Sequence, residues 1–284
     1  MAEVQIKMTE RLFSFEYSAP KTDETLGKLK AVHARLQPLQ PHFCSVTYGA
    51  GGSTKEGTRR TVLDLAAAGN QMAPHLSFGG DRVEVIDELL ETYQAAGVQR
   101  LVALRGDRPS GIGSGSGMGH ANELVTYIRE KTGSHFHIDV AAYPEIHPES
   151  DSVESEIHYF KVKVEAGANS AITQYFYNAD AYFRFRDLCL KSRIEIPIVP
   201  GIMPITNYPG LIRFSNLCGA EIPRWLERNL QTVQHDPDAL KAFGAEVVTS
   251  MCQRLLDYDA PGLHFYTLNH TLPTLTIWEN LGLS

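Results

Sequence analysis

The sequence predicts an α/β protein with the (β/α)8 fold, the TIM barrel, and two observations lead to that prediction. Short apolar, β-branched or aromatic runs alternate with longer segments of helical periodicity, and eight such runs can be counted. The chain has 284 residues, and a barrel of this kind typically needs about 250. The alternation also fits an open doubly wound sheet, but the length favours the barrel.

The predicted strands are short and are enriched in Val, Ile, Leu and aromatic residues, as expected of strands buried on both faces. In chain order they are Leu12–Glu16, Phe43–Thr47, Ala73–Leu76, Leu101–Leu104, Ile138–Ala142, Ala171–Thr173, Ile196–Val199 and Leu263–Tyr266.

The segments between these strands have the periodicity of amphipathic helices. In one of them Val83, Ile86, Leu90 and Tyr93 recur every three or four residues. No linker or change of composition divides the chain, so residues 1–284 are predicted to form one domain. The predicted helices are Thr25–Leu36, Thr58–Ala68, Arg82–Ala96, Ala121–Lys131, Val153–Ala166, Ala179–Lys191, Leu211–Cys218 and Ala239–Leu256.

Composition narrows the class of function. A formal net charge of −7 argues against nucleic acid or an anionic membrane as the partner, since both select a basic surface. The four cysteines form no CxxC pair and stand near no histidine cluster, so neither a disulfide framework nor a metal site is indicated. The N-terminal residues do not resemble a signal peptide, and no apolar stretch could span a bilayer. A cytoplasmic location is expected.

Polar side chains recur where the predicted strands end. Because all carboxyl ends of barrel strands meet on one face, these side chains are expected to form a site there. Each of these residues alone has a structural explanation, such as a helix cap or a histidine whose hydrogen bonds are made within the core. Their coincidence at six successive strands favours a site. They are Glu16, Thr47, Tyr48, His75, Arg105, Asp107, Tyr143, Glu145, His147 and Gln174.

A glycine- and serine-rich stretch, "RGDRPSGIGSGSGMG", follows the fourth strand. It matches neither GxGxxG nor GxxxxGK[ST], so the two common phosphate-binding fingerprints are absent. Its glycines either let the backbone pass close to a bulky ligand or leave a surface loop without a role. The pattern leaves both interpretations open for Pro109–Gly117.

A set of ordered motifs resembles the methylenetetrahydrofolate reductase family in its bacterial form, a catalytic barrel without a regulatory domain. The resemblance runs from about Leu12 to Leu281. The motifs are "FSFEYSAPKT", "SVTYGAGGST", "APHLS", "LVALRGD", "VAAYPEIHPE", "KVEAGANSAITQYFYN", "RFRDLC", "PGIMPI" and "HFYTLN".

The resemblance implies a (β/α)8 barrel that binds FAD without a Rossmann motif. The implied reaction is reduction of methylenetetrahydrofolate to methyltetrahydrofolate with NADH or NADPH. It would follow a ping-pong scheme in which the folate and the nicotinamide nucleotide use the same flavin face in turn. A homo-oligomer is also implied, and no residue pattern selects between the two nicotinamides.

The same resemblance implies roles for particular residues. Glu16 would be the catalytic acid, and burial away from cations is expected to raise its pKa. Asp107 would be the second catalytic residue, near both the flavin and the pterin. The substrate-binding set would be Thr47, Asp107, Gln174, Phe214, Tyr266 and His270. The FAD-binding set would be Thr47, Tyr48, Ala50, His75, Leu104, Arg105, Gly106, Asp107, His120, Ala121, Tyr143, His147, Glu156, Tyr159 and Lys163.

Some positions depart from the family pattern. His120 replaces a tyrosine, and His270 replaces an arginine that helps to bind substrate. Glu156, Tyr159 and Val162 replace Asp, Asn and Arg along the helix expected to cover the diphosphate. Loss of that arginine is expected to weaken FAD binding unless another cation, such as Lys161, compensates.

Two other functions are compatible with a flavin-type barrel. A proline dehydrogenase would need a carboxylate-binding arginine pair near the C-terminus, and residues 264–282 contain none. A barrel that binds folate without turnover would not need Glu16, Asp107 and Gln174 together. The reductase is therefore the favoured prediction.

Overall fold

The computed structural model describes residues 11–49, 54–78, 82–105 and 120–283, and these contain nine strands in one sheet. Every pair of hydrogen-bonded neighbours is parallel. The strands are β1 (Leu12–Tyr17), β2 (Phe43–Val46), β3 (Met72–Ser77), β4 (Arg100–Leu104), β5 (His137–Ala142), β6 (Ser170–Thr173), β7 (Ile198–Val199), β8 (Gly201–Ile202) and β9 (Gly262–Tyr266).

The two ends of this sheet meet at a single proline. The strand order is β7-β6-β5-β4-β3-β2-β1-β9-β8, and only Pro200 separates β7 from β8 in the chain. Proline has no N–H to donate, so the strand breaks there: β7 pairs with β6, and β8 pairs with β9. The sheet is thus a nearly closed barrel, which confirms the predicted fold. The single strand expected over Ile196–Val199 is instead two short strands on either side of Pro200.

Helices connect the strands and surround the barrel, as the alternation predicts. The α6 helix has the predicted bounds, and the other predicted helices begin or end within one turn of their expected positions. The helices are α1 (Asp23–Leu36), α2 (Lys55–Ala67), α3 (Val83–Ala95), α4 (Ala121–Thr132), α5 (Val153–Glu165), α6 (Ala179–Lys191), α7 (Tyr208–Cys218), α8 (Arg224–Val233), α9 (Pro237–Asp257) and α10 (Leu272–Asn280), with a 3₁₀ turn at Gln37–Leu39.

Two helices were not expected from the sequence. The α8 helix is mostly polar and buries only Leu226 and Leu230. The α10 helix, "LPTLTIWEN", contains a proline and several β-branched residues, which have low helix propensity. Tertiary packing stabilises it, because its Trp278 packs against Phe15 and Phe265 with ring centroids 5.7 and 6.1 Å apart. Among the described helices, none is long and apolar enough to cross a bilayer.

The amino-terminal end of the barrel is closed by a buried ion pair. Arg100 at the start of β4 donates to both carboxylate oxygens of Asp139 on β5, at 2.6 and 2.9 Å. Asp139 is fully buried, and Ser170 of β6 also donates to it. The Arg100 guanidinium lies 4.0 Å from the ring centroid of Phe43. This end of the barrel is therefore filled, and the opposite end is left for a site.

Candidate active site

Two adjoining cavities open at the carboxyl ends of the strands. The first, here the mouth cavity, has a volume of about 360 Å³. The second, the outer cavity, has a volume of about 370 Å³ and extends toward α4 and α5. Leu104, Ala141 and Tyr143 line both, so the two form one elongated groove.

The mouth cavity contains a carboxylate flanked by two imidazoles. The Glu16 Oε2 atom lies 3.2 Å from Nε2 of His75 on β3 and 3.6 Å from Nε2 of His264 on β9. The other ring nitrogen of His264 lies 2.7 Å from the Ser14 hydroxyl, and both of these residues are fully buried. Ser14 and Glu16 are two apart on β1 and so share its inner face. The β1–β9 register places Ser14 opposite His264.

The electrostatics of this cluster differ from the sequence expectation. Burial raises the pKa of Glu16, as expected, but the charges and hydrogen-bonding groups of His75 and His264 outweigh it and lower the pKa to about 2. The expectation of a raised pKa was therefore wrong, because it assumed that no cation lies near. Glu16, His75 and His264 therefore form one electrostatic cluster at the barrel mouth.

The wall of the mouth cavity is set by close packing at Tyr266. Its hydroxyl donates to the Thr173 carbonyl at 2.6 Å. A Cβ atom at Gly201 would lie only 2.6 Å from the Tyr266 ring and 2.2 Å from that carbonyl, so this position requires glycine. Gln174 lies beside this wall, and its Oε1 accepts from the backbone N–H of Tyr175 at 3.0 Å. The side-chain N–H₂ of Gln174 is the end left to meet a ligand.

The α7 helix covers one side of the mouth with apolar side chains. Phe214 and Leu217 line the mouth cavity although they are 41% and 75% exposed. One contact holds the helix, since the Tyr175 and Ser215 hydroxyls are 2.9 Å apart. A second holds the segment after it, where Glu145 accepts from the Glu221 N–H at 2.8 Å. The exposed side chains therefore form a fixed apolar rim, suited to a flat aromatic ligand.

The outer cavity contains a half-buried cation, Lys163. Lys163 donates from Nζ to the Ala141 carbonyl at 2.6 Å. Burial lowers the pKa of Lys163 to about 8, and the nearby Glu156 charge opposes this effect. Glu156 is itself buried and accepts from the His147 N–H at 3.1 Å and from the Ser150 hydroxyl at 2.7 Å. An ammonium group has three donors, so Lys163 retains two for an anionic ligand.

A second cation of the outer cavity is held in an ion pair. The Arg105 guanidinium donates from Nη1 and Nη2 to the two carboxylate oxygens of Glu149, at 2.5 and 2.9 Å. The His147 ring packs edge-on against Tyr143, with centroids 4.6 Å apart. Cations and aromatic rings along a groove are what a phosphate-bearing aromatic cofactor requires.

The structure brings most of the predicted site residues together. Those lining the mouth cavity are Glu16, Thr47, His75, Leu104, Tyr143, Gln174, Phe214 and Tyr266. Those lining the outer cavity are Tyr48, Leu104, Arg105, His120, Ala121, Tyr143, His147, Glu156, Tyr159 and Lys163.

Five predicted residues are not placed in either cavity, and one of them is Glu145, which follows β5. Ala50, Gly106 and Asp107 lie outside the described residues, as does Pro109–Gly117. His270 is exposed and does not line either cavity; its backbone N–H donates to the Thr267 carbonyl at 2.8 Å. Among the described residues, no group of three or more His, Cys, Asp or Glu could hold a metal ion.

Sequence reasoning missed several members of the site. His264 carries the clearest overlooked signal, because it is a polar residue within the apolar strand "GLHFY". Ser14 has the same signal in "LFSFEY". Glu149 had none, since its contact with Arg105 spans 44 positions. The other residues lining the mouth cavity that were not expected are Ser18, Val102, Ala141, Ile172, Tyr175, Met203, Leu217, Cys218 and Leu268.

Comparison with known proteins identifies the family. The family model described as methylenetetrahydrofolate reductase matches residues 2–282. The 5,10-methylenetetrahydrofolate reductase of Escherichia coli (strain K12) is 36% identical over 99% of this chain and 93% of its own length. Methylenetetrahydrofolate reductase (NADH) 1 of Arabidopsis thaliana is 38% identical over 95% of this chain. The chain spans only 48% of that plant protein.

A solved structure supports the fold. An uncharacterized protein from Clostridium thermocellum, which binds two copies of 5-methyl-5,6,7,8-tetrahydrofolic acid, matches with a TM-score of 0.64. The match covers 96% of this chain and 93% of that one at 15% identity, so it bears on architecture alone. From the family model and the bacterial relative, the chain belongs to the methylenetetrahydrofolate reductase family.

Proposed function

We propose that this chain reduces methylenetetrahydrofolate to methyltetrahydrofolate with FAD and NADH or NADPH, in a ping-pong reaction. The observation that carries the proposal is the Glu16 carboxylate between two imidazoles inside a cavity that continues into a cationic groove. Family membership and the nearly full-length bacterial relative give the substrate class.

The residues of the outer cavity fit FAD. Lys163 is half-buried and its hydrogen bond goes to a neutral carbonyl, so its charge remains for a diphosphate. Tyr143, Tyr159 and His147 supply rings and a polar edge along the same groove. Leu104 and Ala141, which line both cavities, would supply apolar contacts to the ring system of FAD. Bound there, FAD would supply temporary storage of a hydride between two substrates.

Glu16 would deliver a proton to the folate. The bridging ring of methylenetetrahydrofolate must open before a hydride can add, and the departing nitrogen must be protonated for this. With a pKa of about 2, Glu16 holds almost no proton at neutral pH while the cavity is open to water. A flat ligand over the cavity would remove water from Oε2 and so favour its protonated form.

His75 would supply that proton, and His264 would hold the carboxylate from its other side. Both Nε2 atoms face the same oxygen of Glu16, at 3.2 and 3.6 Å. A proton would pass from Nε2 of His75, the nearer ring at 3.2 Å, to Oε2 of Glu16 and from there to the folate nitrogen. Ser14 would fix the His264 ring through its contact with Nδ1. Glu16 would be the catalytic residue that touches substrate, and Ser14 a positioning residue.

One mouth cavity would serve both substrates. Phe214 offers an exposed ring, and Gln174 offers an amide N–H₂ whose orientation is fixed by Tyr175. These groups suit a pterin and a nicotinamide equally well, because both ligands are flat rings with amide-type acceptors. The cavity of about 360 Å³ favours use by one substrate at a time, which agrees with a ping-pong scheme.

The test is anaerobic titration of the purified chain reconstituted with FAD. The flavin absorbance should bleach with NADH or NADPH and return when methylenetetrahydrofolate is added, with methyltetrahydrofolate as the product. Comparison of the two nicotinamides under identical conditions also gives the cofactor preference. A protein that binds FAD but does not transfer its electrons to methylenetetrahydrofolate would contradict the proposal and favour a folate-binding barrel.

A further inference from the structure

The Arg105–Glu149 ion pair lies where the cofactor would bind. Both side chains line the outer cavity, and the carboxylate occupies both Nη1 and Nη2 of the guanidinium. A planar guanidinium presents the same pair of donors to a carboxylate and to a phosphate. Glu149 and an incoming phosphate would therefore compete for the same atoms of Arg105.

The charges of the described lining residues nearly cancel, so the competition for Arg105 affects how strongly the outer cavity attracts a diphosphate. Arg105 and Lys163 are the cationic side chains other than histidine, and Glu149 and Glu156 are the anionic ones. Two positive and two negative groups leave little net attraction for a diphosphate. Val162 stands on α5 where the family pattern has an arginine, so no cation at that position adds to Arg105 and Lys163.

The two carboxylates differ in their freedom to move. Glu156 is buried and fixed by the His147 N–H and the Ser150 hydroxyl. The Glu149 side chain is 61% exposed, whereas that of Arg105 is 27% exposed. The backbone N–H of Glu149 is held by Nδ1 of His147 at 3.1 Å. Glu149, the more exposed of the two carboxylates, is therefore the one that a phosphate can displace from Arg105.

We propose that Glu149 is a displaceable latch on Arg105, and that the carboxylate holds the guanidinium until a phosphate group of FAD replaces it. Glu149 is thus a residue that sets the affinity of the chain for FAD. This inference rests on the proposed binding of FAD and does not depend on the proposed reduction of folate. The pair is open to water on its Glu149 side, which gives the displaced carboxylate a solvated position.

The test measures FAD binding to the full apoprotein by quenching of flavin fluorescence. Glu149→Gln keeps the size of the side chain and removes its charge. Since the lost ion pair and the lost repulsion of the diphosphate act together, the Kd for FAD should fall about fivefold or more. Glu154→Gln is the matched control: Glu154 is exposed on the first turn of α5 and lies outside the cavity lining, so its Kd should change less than about twofold.

A double-mutant cycle tests the route through Arg105. In an Arg105→Ala background, Glu149→Gln should lose most of its effect on the Kd, because the group it releases is absent. The latch is wrong if Glu149→Gln binds FAD equally or more weakly, if neither protein binds FAD, or if the full gain persists without Arg105. A tightened Kd in a chain that does not reduce methylenetetrahydrofolate would uphold the latch and contradict only the proposed reaction.

Discussion

Nε2 of His75 lies 3.2 Å from Oε2 of Glu16, although the two residues belong to strands separated by β2. His264 approaches the same oxygen from the other side, at 3.6 Å. The barrel thus places a carboxylate between two imidazoles at the mouth, and the charge state of this cluster is the property on which the proposed proton transfer depends.

The stability of the fold at low pH depends on the charge of Glu16 in this cluster. The pKa of Glu16 is lowered from 4.5 to about 2, so its ionised form stabilises the fold above pH 4.5, and that stabilisation is lost as the pH falls through about 2. Glu16→Gln should therefore lose less stability than the parent between about pH 5 and pH 2. Chemical denaturation across this range measures the difference. Parallel curves for the two proteins would show that the histidines do not lower the pKa of Glu16.

The barrel itself could be predicted from the sequence because its signals are local. Eight apolar runs with helical segments between them specify the strands, and the polar residues at their carboxyl ends then specify the face that holds the site. The break at Pro200 could not be predicted, since it depends on β7 and β8 pairing with different neighbours. His264 was missed for a similar reason: its contact with Glu16 exists only after the barrel closes and β9 pairs with β1.

The ionisation of Glu145 should lower the stability of the fold as the pH rises, which is opposite to the effect of Glu16. Burial raises the pKa of Glu145 from 4.5 to about 7, against the opposing effect of the Glu221 N–H. Its contribution to stability is thus fully present below pH 4.5 and is lost as the pH rises through about 7. Glu145→Gln, which can still accept from Glu221, should raise the melting temperature more at about pH 8 than at about pH 5. An equal change at both pH values would contradict this assignment.

The ion pair that closes the base of the barrel should be required for stability. Asp139→Ala leaves the Arg100 charge in a largely buried position without its carboxylate, which typically costs about 3–5 kcal/mol. Urea denaturation measures this loss. Glu24→Ala is the control. The side chains of Glu24 and its partner Lys28 are 76% and 70% exposed, so loss of this pair should lower the free energy of unfolding by less than about 1 kcal/mol. Similar losses in the two variants would show that the buried pair has no special role.

Substitution of Phe214 should weaken the binding of both substrates and leave the binding of FAD unchanged. The Phe214 ring lines the mouth cavity and does not line the outer cavity. Phe214→Ala should raise the KM for both methylenetetrahydrofolate and the nicotinamide nucleotide by about fivefold or more, from the loss of roughly 1 kcal/mol of ring contact, with the Kd for FAD unchanged. Leu190→Ala, at a 56% exposed position outside both cavities, is the matched control. A change confined to one substrate would contradict the shared cavity.

Several statements drawn from the sequence remain predictions. They are the role of Asp107, the substrate contact of His270, the homo-oligomer, the cytoplasmic location and the absence of nucleic acid among the partners. Asp107 follows Arg105 closely in the chain, so the latch experiment and an Asp107→Asn variant would together show how this segment binds the cofactor and the folate.

The most direct measurement is a comparison of the two half-reactions in Glu16→Gln by anaerobic stopped-flow absorbance. Flavin reduction by the nicotinamide nucleotide should proceed at the parent rate, because it needs no proton from Glu16. Flavin reoxidation by methylenetetrahydrofolate should slow by about 10² or more, the usual contribution of a general acid. Reoxidation at the parent rate would contradict the proposed role of the carboxylate between His75 and His264.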